Sequence, residues 1–352
     1  MLRAGPNEPR KLADVKHIGI VGTGAWATTL GILLARTGHE TVLWSRSEAR
    51  ATELSKARIN ERSVPGVQFP SSMNVSSSLD ESFSKSQLVI IAVPSVSVRK
   101  NLKDVSDALS YVNSILCATK GIEIESGKRM SQVIMEELPG FSLDNIGVLS
   151  GPNLAPEIAA GKISSATIAF PNSHVSESVQ SILSSDVFRV YRSQDVKGVE
   201  LGGALKNIIA IGAGFIDGAG LGANIKATYV TRGLYEITQL GVAMGANRDT
   251  FAGLSGMGDL IVTCYSTLSR NYRLGFGLAS GKNLQSVVAE LGQTVEGAPT
   301  TQAAVRLAEQ LHIDMPITKA THAVLFEGAS PRDVVNDLMV RTLQPENKLH
   351  GT

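Results

Sequence analysis

In the stretch Leu201–Phe215, LGGALKNIIAIGAGF, a single charge, Lys206, sits among apolar and glycine residues. A lone ammonium in such a setting has two uses. It can snorkel, its stem covering apolar surface and its amine in water. It can also be held out of water as a proton donor and acceptor. On a helix, Gly202, Gly203, Ile209 and Ala210 share the face of Lys206, with Ala213 one turn beyond. This stripe of mostly small residues lets another body approach closely, and spacing alone leaves both readings open.

Other polar groups interrupt apolar or glycine-marked sequence: Lys120 in ATKG, Gly151 and Asn153 in SGPN, Asn207 beside Lys206, and Asp259 in SGMGD, read as a loop isolating one acid. Ser269, Arg270 and Asn271 follow, and Thr294 and Glu296 flank Val295. Each has a plain alternative. Lys120 could be a loop lysine, Asp259 a helix cap, Arg270 the partner of a surface acid and Asn153 a turn residue. Their joint occurrence beside the following motif weakens those alternatives.

Gly22-Thr-Gly24-Ala25-Trp26-Ala27 fits the pattern G-x-G-x-x-G/A. It follows the strand-like run HIGIV, opens a helical pattern and leads to a second strand, the context that a dinucleotide-binding turn requires. Gly22 permits the tight turn, Gly24 lets backbone approach a pyrophosphate, and Ala27 keeps helix and sheet close. The helix N-terminus supplies N–H groups and positive dipole. Where an acid usually binds the ribose of NAD, the segment Leu43–Ser47 offers Arg46. A guanidinium suits a 2′-phosphate, which favours NADP(H) while leaving NAD(H) open; the alternative is a surface arginine beside Arg50. The histidines form no ligand-like cluster, so no metal is expected. No G-x-S-x-G elbow suggests a hydrolase.

These groups need a frame. Apolar runs at His17–Val21, Glu40–Trp44, Leu88–Val93, Ser114–Ala118, Ile146–Leu149, Ala166–Phe170 and Phe188–Tyr191 read as strands with helices between most of them, hence a mainly parallel sheet. After residue 193 only helical patterns are found: Val199–Gly214, Ala223–Met244, Arg248–Leu254, Thr267–Ser280, Leu284–Leu291, Thr300–Gln310, Ile317–Phe326 and Pro331–Met339. The serine-rich segments Ser71–Ser78 and Ser82–Ser86 read as turns or a helix edge. The expected fold is α/β plus all-α: a Rossmann-type doubly wound sheet over 17–193, then a helical substrate domain over 194–340. A disordered extension over 1–16 and a frayed tail over 341–352 flank them.

The chain has 352 residues, 43% hydrophobic and 18% charged, with a net charge of +1. That balance speaks against a nucleic-acid surface. Two cysteines without paired spacing argue against a disulfide framework and fit a reducing compartment. The start lacks the apolar core of a secretory signal. The longest apolar run, Asn207–Ile216, is too short to span a bilayer. A cytoplasmic protein without integral membrane association is expected.

Taken together, GTGAWATTL, ATKGIE, LSGPNLAPEIAAG, ELGGALKNIIAIGAGF, LSGMGDLIVTC, SRNYRLG and VEG resemble the NAD(P)-dependent glycerol-3-phosphate dehydrogenase family of the bacterial type. The resemblance runs from about Ile18 to Met339. It implies that Lys206 is the catalytic acid/base, that Lys120 contacts substrate and cofactor, and that Asp259 binds substrate hydroxyls or orients Lys206. It places Gly151, Asn153 and Asn207 at the substrate; Ser269, Arg270 and Asn271 at its phosphate end, with Arg270 also reaching the cofactor; and Gly22, Gly24, Ala25, Trp26, Arg46, Lys120, Ala155, Thr294 and Glu296 at NADP(H) or NAD(H). Asn153 is replaced by serine or threonine in some members. The implied reaction interconverts dihydroxyacetone phosphate and sn-glycerol 3-phosphate, a phospholipid precursor, and the implied assembly is a homodimer. Competing readings are another two-domain hydroxyacid or sugar-acid reductase, or a dinucleotide-binding sensor without turnover.

Overall fold

The computed structural model describes residues 16–343, 345 and 346. Residues 1–15 of the expected N-terminal extension and most of the expected tail lie outside them. Ten strands occur: β1 (His17–Val21), β2 (Glu40–Trp44), β3 (Ile59–Asn60), β4 (Val64–Gln68), β5 (Met73–Ser76), β6 (Leu88–Ile91), β7 (Ser114–Cys117), β8 (Ile146–Ser150), β9 (Ser164–Ala169) and β10 (Phe188–Ser193). Eight form one sheet in the order β10-β9-β8-β7-β6-β1-β2-β5, and β3 and β4 make a small separate hairpin. The strand order reverses between β1 and β6, the switch point at which such sheets bind ligands beyond their carboxyl ends. The inner strands are apolar throughout because helices cover both faces: β6 and β7 are completely buried.

One local expectation within the sheet domain changes. The serine-rich segment Ser71–Ser78 holds the edge strand β5, in which Met73 and Val75 point inward and Asn74 outward. Two apolar residues at period two were too short a signal among serines. The sheet also carries one antiparallel pair, β8 with β9. The segment between them, 151–163, is spent on the SGPN loop and a five-residue helix, Ala155–Ala159, instead of a crossover.

Beyond residue 193 the described elements are helical, built around Val196–Gly218. That helix is long and apolar enough to cross a membrane, longer than the run counted in the sequence, yet it is almost wholly buried inside the protein. Its start is fixed by a half-buried acid, Asp195, and a buried one, Glu200. Asp195 accepts from Gly198 N at 2.9 Å, Asn247 N at 2.9 Å and Thr250 Oγ1 at 2.7 Å. Glu200 accepts from Ser131 N and Ser131 Oγ, both at 2.8 Å, and from Arg129 Nη1 at 2.7 Å, which ties the helix to the sheet domain. The segment expected as a helix over Arg248–Leu254 is a 3₁₀ turn, Arg248–Ala252, followed by a single π turn, Leu254–Gly258.

The small residues near Lys206 admit backbone. A side chain at Gly202 would strike the Ser255 carbonyl, and one at Gly214 the Tyr272 carbonyl. On the facing helix, Arg270–Ala279, a Cβ at Gly275 would lie 1.7 Å from the Ile211 carbonyl oxygen. The helices bearing Lys206 and Arg270 therefore touch backbone to backbone, a contact that tolerates no added carbon. Gly275→Ala should cost about 1–3 kcal/mol by overpacking, seen as a lower Tm; an unchanged Tm would contradict this contact.

Candidate active site

Lys206 lies midway along Val196–Gly218 and is 5% exposed, so it does not snorkel. Its Nζ sits 2.8 Å from Asp259 Oδ1 and donates to Thr263 Oγ1. The other carboxylate oxygen, Asp259 Oδ2, accepts from Lys120 Nζ at 2.6 Å. Lys120 also donates to the Gly151 carbonyl at 3.0 Å. One buried carboxylate thus bridges two ammonium groups that arrive from opposite domains. Lys120 follows β7, and Gly151, with φ of +146°, follows β8. Asp259 opens the helix Asp259–Tyr265 rather than standing in a loop. One turn later Thr263 donates to the Asp259 carbonyl at 2.6 Å, which locks the acid's helix beneath the lysine.

Opposing effects act on Lys206. Burial disfavours its charge and Asp259 favours it, while the Lys120 ammonium disfavours it again. Burial wins, and the pKa falls to about 8. The amine therefore changes protonation in a range useful for proton transfer.

A second cluster is joined to the first through Asn207. Its Oδ1 accepts from Asn271 Nδ2 at 2.8 Å, and Asn271 Oδ1 accepts from Gly297 N at 2.8 Å. This places Arg270 beside the Lys206 helix and Glu296 beside both. Ser269 is buried, but its hydroxyl caps the Arg270 helix by accepting from Tyr272 N at 3.2 Å. Asn207, Ser269 and Asn271 thus spend side-chain groups on the framework. Arg270 is half-buried, and its guanidinium makes no hydrogen bond among the described residues. Burial lowers its pKa, and Glu296 works the other way. Glu296 accepts from Ser95 N at 3.0 Å and from Ser95 Oγ, in the 3₁₀ turn that follows β6. Burial raises its pKa despite those bonds. Thr294 is half-buried two residues earlier.

The glycine turn fits a dinucleotide. Gly22 has φ of +120°, and a Cβ there would strike the Ala92 carbonyl. Gly24 faces open space and leaves the N-terminus of the helix Ala25–Arg36 without a capping side chain. Trp26 Nε1, in the first turn, is buried without a partner. These are the features expected where backbone N–H groups meet a pyrophosphate. Arg46 stands exposed just past β2, and the Ala155 carbonyl accepts from Thr29 Oγ1 at 3.1 Å. Asn153 donates to Ser165 O at 3.0 Å, while its Oδ1 and Ser150 Oγ are buried without partners beside the Lys120 loop.

Three residues escaped the sequence reading. Thr263 lies one helical turn after Asp259, a spacing that could have revealed it. Asn60, in β3, donates to the Thr23 carbonyl at 3.0 Å and to Thr28 Oγ1 at 2.9 Å, so it holds the glycine turn from a distant hairpin. Ser95 clamps Glu296. Neither Asn60 nor Ser95 has a local signal. Among the described residues no cluster of potential metal ligands exists.

Residues 17–176 match the family described as NAD-dependent glycerol-3-phosphate dehydrogenase N-terminus, and residues 195–336 match the corresponding C-terminus. A protein of Pelotomaculum thermopropionicum named glycerol-3-phosphate dehydrogenase [NAD(P)+] is 46% identical over 327 residues, 92% of this chain and 93% of its own. One of Lactiplantibacillus plantarum with the same name is 43% identical over 335 residues, 94% of this chain and 99% of its own. The crystal structure of glycerol-3-phosphate dehydrogenase from Coxiella burnetii superimposes with a TM-score of 0.89 at 34% identity, covering 93% of this chain and 99% of that one.

Gly24→Ala tests the fit of the turn. The new Cβ meets nothing in the protein, so Tm should hold while the Kd of NADPH and NADH rises at least about tenfold, the scale of one misplaced close contact. Equal affinity in the variant would remove the glycine turn from the cofactor site.

Proposed function

This chain belongs to the NAD-dependent glycerol-3-phosphate dehydrogenase family, and we propose that Lys206 is its proton donor and acceptor at C2 of the substrate. The enzyme is an NAD(P)-dependent oxidoreductase that interconverts dihydroxyacetone phosphate and sn-glycerol 3-phosphate. The observation that carries the residue assignment is the Asp259 carboxylate shared by Lys206 at 2.8 Å and Lys120 at 2.6 Å in a buried site.

When bound, the nicotinamide supplies or removes the hydride at C2. During reduction, negative charge grows on the C2 oxygen. The Lys206 ammonium stabilises that charge and then gives up its proton. In the reverse direction the neutral amine accepts the hydroxyl proton. Asp259 fixes the direction of the Nζ, and Lys120 places a second positive charge beside it. Arg270, a half-buried fork of donors without an internal hydrogen bond, receives the substrate phosphate. Gly151 and Asn153 line the same edge, with the unpartnered Asn153 Oδ1 available to a hydroxyl. The helix N-terminus at Gly24, together with Trp26, Arg46, Ala155, Thr294 and Glu296, holds the cofactor. We place the enzyme in the cytoplasm as a homodimer supplying phospholipid synthesis; two buried free thiols, Cys117 and Cys264, support that compartment.

Lys206→Ala should lower kcat by roughly 10²–10⁴-fold, the scale of positioned proton transfer, with little change in cofactor Kd; near-normal kcat would refute the assignment. The pH dependence follows from the lowered lysine. Reduction needs the ammonium, so its kcat/KM should be full below a pH of about 8 and fall above it, whereas oxidation should rise through the same pH. Opposite limbs would contradict the role. Arg46→Ala should raise the KM for NADPH more than for NADH, and equal effects would remove Arg46 from the 2′-phosphate site.

A further inference from the structure

Lys226 is 6% exposed, near the start of the helix Ala223–Ala243, and the steps described above do not use it. Its ammonium pairs with Asp217 Oδ2 near the end of the Lys206 helix. It also lies 4.0 Å from the ring centroid of Tyr265, the last residue of the Asp259 helix, and 5.2 Å from that of Tyr272 in the Arg270 helix. The Tyr272 hydroxyl closes the knot by donating to Asp217 Oδ2 at 2.7 Å. One cation therefore ties together the ends of the three helices that carry Lys206, Asp259 and Arg270. A buried ammonium needs such partners, since charge out of water is costly unless paired, and the two rings add cation–π attraction.

The geometry gives this knot a lever on the site. Tyr272 is two residues from Arg270, and its carbonyl rests against Gly214 of the Lys206 helix. Fixing Tyr272 at both its carbonyl and its hydroxyl sets where the first turn of its helix stands, and so sets the separation between Arg270 and Lys206. We propose that Lys226 is a positioning residue that holds Arg270 at the distance matching the span from the phosphate of the substrate to its C2 carbonyl. The inference rests on Arg270 as the phosphate ligand. Lys226 itself touches neither substrate nor cofactor.

The test compares dihydroxyacetone phosphate with dihydroxyacetone, which lacks the phosphate, in the full-length enzyme. In Lys226→Met, kcat/KM for dihydroxyacetone phosphate should fall roughly tenfold to a hundredfold, the scale of a small misplacement, mainly through KM. Turnover of dihydroxyacetone and the KM for NADPH should stay within about twofold, a change too small to signal lost positioning. Lys226→Arg, which keeps charge and stacking, should restore most of the loss. Tyr272→Phe, which removes only the hydroxyl, should show a smaller loss of the same kind and serves if Lys226→Met does not fold. In an Arg270→Ala background Lys226→Met should add nothing. Equal losses on both substrates, or no loss in Lys226→Met where Arg270→Ala raises the KM for dihydroxyacetone phosphate, would overturn the proposal. If Arg270→Ala leaves that KM unchanged, the phosphate assignment fails first, and this proposal with it.

Discussion

The structure depends on one arrangement: a buried aspartate, Asp259, held between the buried Lys206 and the half-buried Lys120. The buried Lys206 ammonium without a partner would lose its proton or force the site open. With Asp259 between the two lysines, the group as a whole carries one excess positive charge when all three ionise. An excess of that sign suits a phosphorylated substrate and an oxygen that becomes negative during reduction. Burial brings the Lys206 pKa down to about 8, within reach of proton release during turnover. Burial makes the lysine reactive, and Asp259 offsets the cost that burial imposes on its charge.

Holding that arrangement demands unusual packing around it. Lys120 comes from the sheet domain and Asp259 from the helical domain, so the carboxylate joins the two. Glu200 with Arg129 and Ser131, and Glu296 with Ser95, join them again on other sides. Within the helical domain, Gly202, Gly214 and Gly275 bring backbones into direct contact. Glycine weakens an isolated helix, so these positions are intelligible only through the neighbours they admit. Beside Lys206 the closeness is that of the protein to itself, Gly202 admitting the Ser255 carbonyl and Gly203 the Ser150 side chain.

Much of this was legible in the sequence because it is written locally. The glycine turn announces itself by a strand before it and a helix after it, and Lys206 by its isolation in apolar sequence. The sheet followed by helices shows in the change of pattern near residue 193. What was hidden depends on distant partners. The lowered pKa of Lys206 comes from burial, and the carboxylate that opposes it, Asp259, lies fifty-three residues away. Asn60 supports the glycine turn from a hairpin whose strands carry little periodicity. Lys226 looks like one of several polar residues on an amphipathic helix until Asp217, Tyr265 and Tyr272 surround it. The edge strand at Met73–Ser76 and the antiparallel β8–β9 pair were likewise decided by neighbours and by chain path rather than by propensity.

Asp259 holds the charge of Lys206 up against burial and Lys120. The most direct test is the pH dependence of kcat/KM for reduction in Asp259→Asn, whose amide keeps the shape but not the charge. With the carboxylate gone, burial and the Lys120 charge act unopposed, so the falling limb should move below the pH of about 8 set by the native lysine. A limb that stays in place, or moves upward, would mean that Asp259 does not support the charge of Lys206.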